Sequence, residues 1–206
     1  MAIKIATRQT GLCMTGRSHW WGAPDLPEDV PYPCVEVMDG DESYYEPLTF
    51  VCQIRCSDIA RLDPENLLPH SGMLYFFAPI DYFLGEYDSP LDYHEPPVVI
   101  FSEKENGLKP YRMCWEGTDE SIFRPAEEMI FSRAQCRCGD GHMLLGEPYQ
   151  EEIRDSNPGY VQLLQIDEDD RWGLRFHDCG TYYFLIPAQD LKERRWNRVR
   201  GALFFF

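Results

Sequence analysis

The chain has 206 residues, 44% of them hydrophobic and 14% aromatic, which is enough apolar material for a buried core and too much for a disordered chain. Its formal charge of −16 argues against nucleic acid or an anionic membrane as a partner, because both select clustered lysine and arginine. No run reaches the roughly 18 apolar residues of a membrane span, and the opening MAIKIATRQTGLCM lacks the apolar segment of a secretory signal, so a cytoplasmic location is expected. The cysteines are scattered through a core-rich sequence and are expected as free thiols.

Residues 2–8, AIKIATR, alternate apolar and polar in the manner of a strand with one wet face. From Trp20, the stretch WWGAPDLPEDVPYP holds four prolines within ten residues, which forbids a helix interior or a central strand. Trp20 and Trp21 are expected to cover one edge of the core. Cys34–Met38 predicts a strand, Asp39-Gly40-Asp41 its turn, and Leu48–Ile54 a second strand buried on both faces. Gln53 inside that strand must then be hydrogen-bonded, since an unpaired buried amide costs about 1–3 kcal/mol. Ser57 is placed to cap a short helix, SDIARL, and Gly72 opens the aromatic strand MLYFFAP.

Residues 81–103, with six acids, no lysine or arginine and three prolines, predict a loop and then a strand at Val98–Phe101 joining two halves. Tyr111–Trp115 predicts another strand. RPAEEMIFSRAQ, from Arg124, predicts a short helix, with proline near its start and acids in its first turn. CRCGDGHMLLGEPYQ is a glycine-rich turn, and Tyr160–Pro187 is two apolar runs parted by the acidic turn Asp167–Asp170, expected to be a solvated hairpin turn. A helix from Pro187 to about Trp196 and a closing strand at Ala202–Phe206 complete the chain.

The chain repeats itself. Aligning Gln53-Ile54 with Gln165-Ile166 brings Gly72 and Leu74–Phe77 onto Gly180 and Tyr182–Leu185, with 19 residues from Gln to Gly in one copy and 15 in the other. Gly22-Ala23-Pro24 precedes the first copy and Gly146-Glu147-Pro148 the second. The pattern implies an internal duplication with pseudo-repeats at approximately 20–105 and 110–206. The expected fold is accordingly α+β and strand-rich: a single compact domain over residues 1–206, built from duplicated β units with a few short helices.

The blocks WGAPDLPEDVPYP, PLTFVCQI, SGMLYFF, GHMLLGEPYQ, YVQLLQID and DCGTYYFLIPAQDL, followed by the closing aromatic strand, occur in an order and spacing that resembles the YwqG-like family of bacterial proteins, a family of unknown function. The resemblance runs from about Trp20 to the end. It implies a strand-rich, internally duplicated domain and brings with it no established activity, cofactor or catalytic residue. Where that family commonly has Trp-Gly-Asp before the glycine of the second aromatic strand, this chain has Phe176-His177-Asp178-Cys179-Gly180, keeping only Asp178.

Three chemistries compete for the function. Between Arg17 and Arg55 lie eight acids and no lysine or arginine. With residues 81–103 they suggest an acidic face, with Asp25, Glu28, Asp29, Asp39, Asp41 and Glu42 as candidate binding residues for a basic protein partner. Cys136, Cys138 and His142 offer zinc ligands, although Cys-x-Cys is tighter than the usual zinc spacing. His177, Asp178 and Cys179 offer a thiol nucleophile with a neighbouring base. Nucleotide-binding glycine motifs and a nucleophile elbow are missing from the sequence. The expectation is a non-catalytic protein-binding module without a cofactor, comparable to an immunity protein that neutralises a basic partner. A hydrolase or thiol-dependent enzyme, or a zinc protein, is the alternative.

Overall fold

The computed structural model describes residues 1–115 and 117–206. Its strands are β1 (Ile3–Gln9), β2 (His19–Trp20), β3 (Cys34–Asp39), β4 (Glu42–Pro47), β5 (Thr49–Arg55), β6 (Met73–Ala78), β7 (Val98–Ser102), β8 (Glu127–Arg133), β9 (Met143–Leu144), β10 (Tyr160–Asp167), β11 (Thr181–Pro187) and β12 (Arg200–Phe204). Three short helices accompany them, α1 (Cys56–Ile59), α2 (Glu151–Ser156) and α3 (Ala188–Lys192). Ten strands form one antiparallel sheet in the order β12-β11-β10-β9-β1-β8-β2-β5-β6-β7, while β3 and β4 pair as a separate hairpin.

The expectation of an α+β fold is corrected by this arrangement. The chain is 35% strand against 13% helix, and its large sheet curls into a nearly closed barrel. The two outer strands approach one another: Phe101 of β7 lies 6.5 Å from the Trp196 ring, and a Cβ added to Gly201 of β12 would sit 3.3 Å from Pro97. Across the interior, Phe76 of β6 meets Phe184 of β11 edge-on at 5.4 Å. Closing a sheet removes open edges, and a continuous apolar core inside it makes helical layers unnecessary.

Alternation explains why β6 and β11 are buried throughout. Leu74, Phe76 and Ala78 face the barrel interior, whereas Met73, Tyr75 and Phe77 face a second apolar cluster covered by β3, β4 and the neighbouring loops. In β11, Tyr182, Phe184 and Ile186 face inward, and Tyr183 and Leu185 pack with Ile153 of α2.

The pairings of β1-β2-β5-β6-β7 and of β8-β9-β10-β11-β12 run in parallel. Lys4 pairs with Met143 as Glu128 pairs with His19. Gln53 faces Tyr75 as Gln165 faces Tyr183, and the register slips once in each copy, between Phe50 and Cys52 and between Gln162 and Leu164. Each leading strand sits in the opposite series: β1 lies between β9 and β8, and β8 between β1 and β2. The β1–β8 ladder has Ala6 opposite Ile130 at its middle.

Several local expectations change. RPAEEMIFSRAQ contributes β8 and not a helix, because Glu127 is buried in the ladder and the pattern of apolar side chains does not mark the inner face. ESYYEP forms the exposed strand β4, which no apolar alternation announced. Tyr111–Trp115 is extended but joins no ladder, apart from a single bridge from Cys114 to Ser121. α1 begins at Cys56 with no side-chain cap, so Ser57 is not its cap, and α3 stops at Lys192. Trp20 is fully buried at the centre, stacked on Trp172 at 5.4 Å, and does not cover an edge.

Candidate functional site

A cleft of about 520 Å³ opens where the β3–β4 hairpin leans over the outer face of the sheet. Tyr44, Tyr45 and Glu46 of β4 form one wall, and the start of β5 continues it through Leu48 and Phe50. Asp81, Leu84 and Glu86 come from a 3-10 turn at Tyr82–Leu84 that Gly85 ends with φ +95°. Trp115, Phe123 and Arg124 line another side. β4 stands away from the main sheet, so both of its faces carry side chains that are not needed for the core.

The walls combine aromatic rings with carboxyl groups. Tyr44, Tyr45 and Trp115 are 41%, 69% and 47% exposed, large aromatics left in water. Deeper in, the Tyr32 hydroxyl donates to the Leu48 carbonyl at 2.9 Å, and its ring packs on Phe77 at 5.2 Å. Burial raises the Asp81 carboxyl to about 7, and Glu86 and Glu46 add to the rise, while the Ser89 hydroxyl, which donates to it at 3.1 Å, and Arg124 oppose it. Burial and then Glu86 also raise Glu46. Tyr32 is raised too, by burial first and then by Asp81.

Arg124 does not neutralise the cleft effectively. Its guanidinium donates to the Trp172 carbonyl at 2.8 Å and the Leu84 carbonyl at 3.2 Å, and it lies 5.8 Å from the Trp21 ring centre. It has the smallest influence of those acting on Asp81. A cleft whose described residues offer three carboxyls, exposed aromatic rings and one arginine that is otherwise engaged suits a cation.

The cleft draws on both acidic segments, since Glu46 ends the first and Asp81 and Glu86 begin the second. The six residues expected to form an acidic face divide differently. Asp39, Asp41 and Glu42 are exposed at the hairpin tip, and Glu28 and Asp29 are exposed in the proline-rich loop, where Glu28 lies 3.6 Å from Lys109. Asp25 does not belong to any surface. It is 1% exposed and accepts hydrogen bonds from the Gly16 amide at 2.7 Å and the Gln53 side chain at 2.6 Å, because the buried Gln53 needs an acceptor.

The zinc candidates are not assembled. Among the described residues, no three His, Cys, Asp or Glu side chains come together as a metal site. Cys136 is exposed and its thiol meets the Cys138 carbonyl. His142 is buried between Trp20 and Trp172, and its Nδ1 accepts the Asp167 amide at 3.1 Å. Burial lowers His142 to about 4, so the ring is neutral at neutral pH.

His177, Asp178 and Cys179 occupy a tight turn and not a strand, with φ +59° at His177 and +56° at Cys179. The imidazole lies against Phe205 at 4.5 Å and edge-on to Phe83 at 5.2 Å, while the Cys179 thiol points toward Asp178 Oδ1 at 3.8 Å. No hydrogen bond among the described residues joins the imidazole to the thiol. Glu168, expected in a merely solvated turn, instead accepts the Phe176 amide at 2.9 Å and the Gly180 amide at 3.0 Å and so shapes this loop. The sequence signal for the cleft was the acidity of its two segments; the pairing of those segments across the fold was not visible.

No curated protein matches the chain. A family model described as a domain of unknown function (DUF1963) matches residues 18–137 and again residues 103–203. The two matches leave only the ends of the chain outside them, and the chain belongs to this family of uncharacterised proteins.

Proposed function

We propose that this protein is a non-catalytic binding module that holds a basic protein partner through its acid-lined aromatic cleft. The observation that carries this reading is the convergence of Glu46, Asp81 and Glu86 with the exposed rings of Tyr44, Tyr45 and Trp115 around one opening. The exposed acids of the hairpin tip, Asp39, Asp41 and Glu42, stand on the same hairpin and supply a field that speeds the approach of a basic surface. Glu28 and Asp29 extend that field from the proline-rich loop. Neutralisation of a basic partner in the bacterial cytoplasm, as immunity proteins perform it, fits this reading.

The matching registers of the two strand series, and the match of one family model to both ends of the chain, support a single duplicated domain over 1–206 of YwqG-like type. On this reading the repeats begin at β1 and β8, which moves their starts from the 20 and 110 expected from sequence.

Titration with arginine-rich and lysine-rich peptides tests the binding function. Binding should weaken about tenfold or more in Glu46→Lys combined with Glu86→Lys, whereas Asp39→Lys with Asp41→Lys and Glu42→Lys should mainly slow association at low salt. Peptide binding that is indifferent to both sets would remove the proposal.

A further inference from the structure

The cleft contains more information than its charge. Its carboxyls do not gather on one point: among the described residues no three such groups meet as a metal site. They are distributed around an opening rimmed by flat, exposed rings. A compact ammonium offers a single strongly hydrated charge, whereas a guanidinium is planar, weakly hydrated, stacks on aromatic faces and sends donors outward in its plane to separate acceptors. The same wall already holds one in that way, since Arg124 lies over Trp21 while donating to the carbonyls of Leu84 and Trp172.

Resting on the cleft reading above, we propose that the cleft receives a single arginine side chain of the partner, its guanidinium stacked on the exposed ring of Tyr44 of β4 and paired with the carboxylates of Asp81 and Glu46. Tyr44, on the same face of β4 as Glu46, then supplies the apolar contact, and Glu86, exposed beside Asp81, supplies long-range attraction.

The pairing requires Asp81 in its charged form. Facing it are Glu86 from the turn after Tyr82–Leu84, Glu46 from β4, the Tyr32 hydroxyl and, as the one cation among the described residues, Arg124. Because the empty cleft holds a proton on Asp81 until about pH 7, a bound guanidinium displaces it. Affinity should rise about tenfold between pH 6 and pH 8 and level off above.

The test is a calorimetric or NMR titration of the full chain with Nα-acetyl-argininamide, Nα-acetyl-lysinamide, tetramethylammonium and calcium chloride. The arginine derivative should bind about tenfold more tightly than the lysine derivative. Tyr44→Ala, at a position 41% exposed, should weaken it several-fold, whereas Tyr45→Ala on the opposite face of β4 should change it little. Asp81→Asn should weaken it about tenfold at pH 8 and abolish the rise between pH 6 and pH 8. Equal binding of lysine or tighter binding of tetramethylammonium, displacement by calcium, or indifference to Tyr44→Ala would each overturn the assignment. The two proposals fail separately. Arginine-rich peptides that bind without competition from the arginine derivative would overturn this site and leave a basic partner; an arginine derivative that binds while basic peptides do not would keep the site and overturn the partner.

Discussion

Asp81 is the residue whose chemistry departs most usefully from its surroundings. A folded-state carboxyl raised from its ordinary value of 3.8 to about 7 keeps a proton that the unfolded chain has already lost, so its effect on stability is unfavourable and grows as pH rises from about 4 to about 7. Asp81→Asn removes that effect. Thermal unfolding should show the variant more stable than the parent by roughly 1–3 kcal/mol at pH 8 and indistinguishable near pH 4. His142 acts with the opposite sign, because a buried imidazole lowered to about 4 loses stability as pH falls through the unfolded value near 6.5. The comparison is therefore made between variant and parent at each pH. Gln53 gives a second residue-scale prediction. Its amide donates to the Arg17 carbonyl at 3.0 Å and to the buried Asp25, and its oxygen accepts the Asp25 amide at 2.8 Å. Gln53→Leu leaves Asp25 without that donor and should cost about 2–4 kcal/mol in chemical denaturation. The need for satisfaction at Gln53 was legible from its apolar neighbours, but its partner was not: Asp25 reads as one more surface acid until the fold buries it.

At the scale of elements, sequence pattern succeeded where apolar side chains follow burial, alternating in β1 and continuous in β5, β6 and β11, and failed where they do not. β1, β5, β6 and β11 announce themselves because their apolar side chains match the faces they bury. β8 buries Glu127 and leaves Ile130 44% exposed, which inverts the signal, and its proline and acids imitate a helix start. β4 has no buried face from which a period could arise, and yet it supplies four residues of the cleft. The hairpin's independence from the large sheet makes a sharp prediction. Replacing residues 35–46 by a short turn should leave circular dichroism and cooperative unfolding close to those of the parent, at a cost of about 1–3 kcal/mol for Val35 and Val37 leaving their cluster, while binding of basic peptides disappears.

For the molecule as a whole, the two ends of the sheet meet, so its openings lie elsewhere, and the cleft is formed by what the first strand series carries outside the barrel. There the space between β2 and β5 is spanned by the proline-rich loop and the hairpin, whereas α2 fills the corresponding stretch between β9 and β10. The two places differ in charge: the first offers Glu46, Asp81 and Glu86 beside Arg124, and a smaller hollow beside α2 offers Arg154 and an Arg137–Glu147 ion pair. The repeat of Gln, glycine and aromatic run was visible in sequence because it serves the barrel; the divergent insertions carried no repeat by which to place them.

The placement of β1 between β9 and β8 has a consequence for how the chain comes together. β1 finds no neighbour in its own half and pairs only with residues 127–144, so the middle of the sheet is expected to zip last. Formation should be slow and dominated by this long-range closure, with amides of Lys4–Thr7 gaining protection from hydrogen exchange later than those of β5 and β6 in pulse-labelled refolding. Trimming the first nine residues would open the sheet at its centre and should abolish soluble, cooperative folding, whereas removing Phe205 and Phe206, 46% and 81% exposed, should change the unfolding midpoint little. Strand β1 would thus act as a clasp, fastened only when β8 and β9 have arrived.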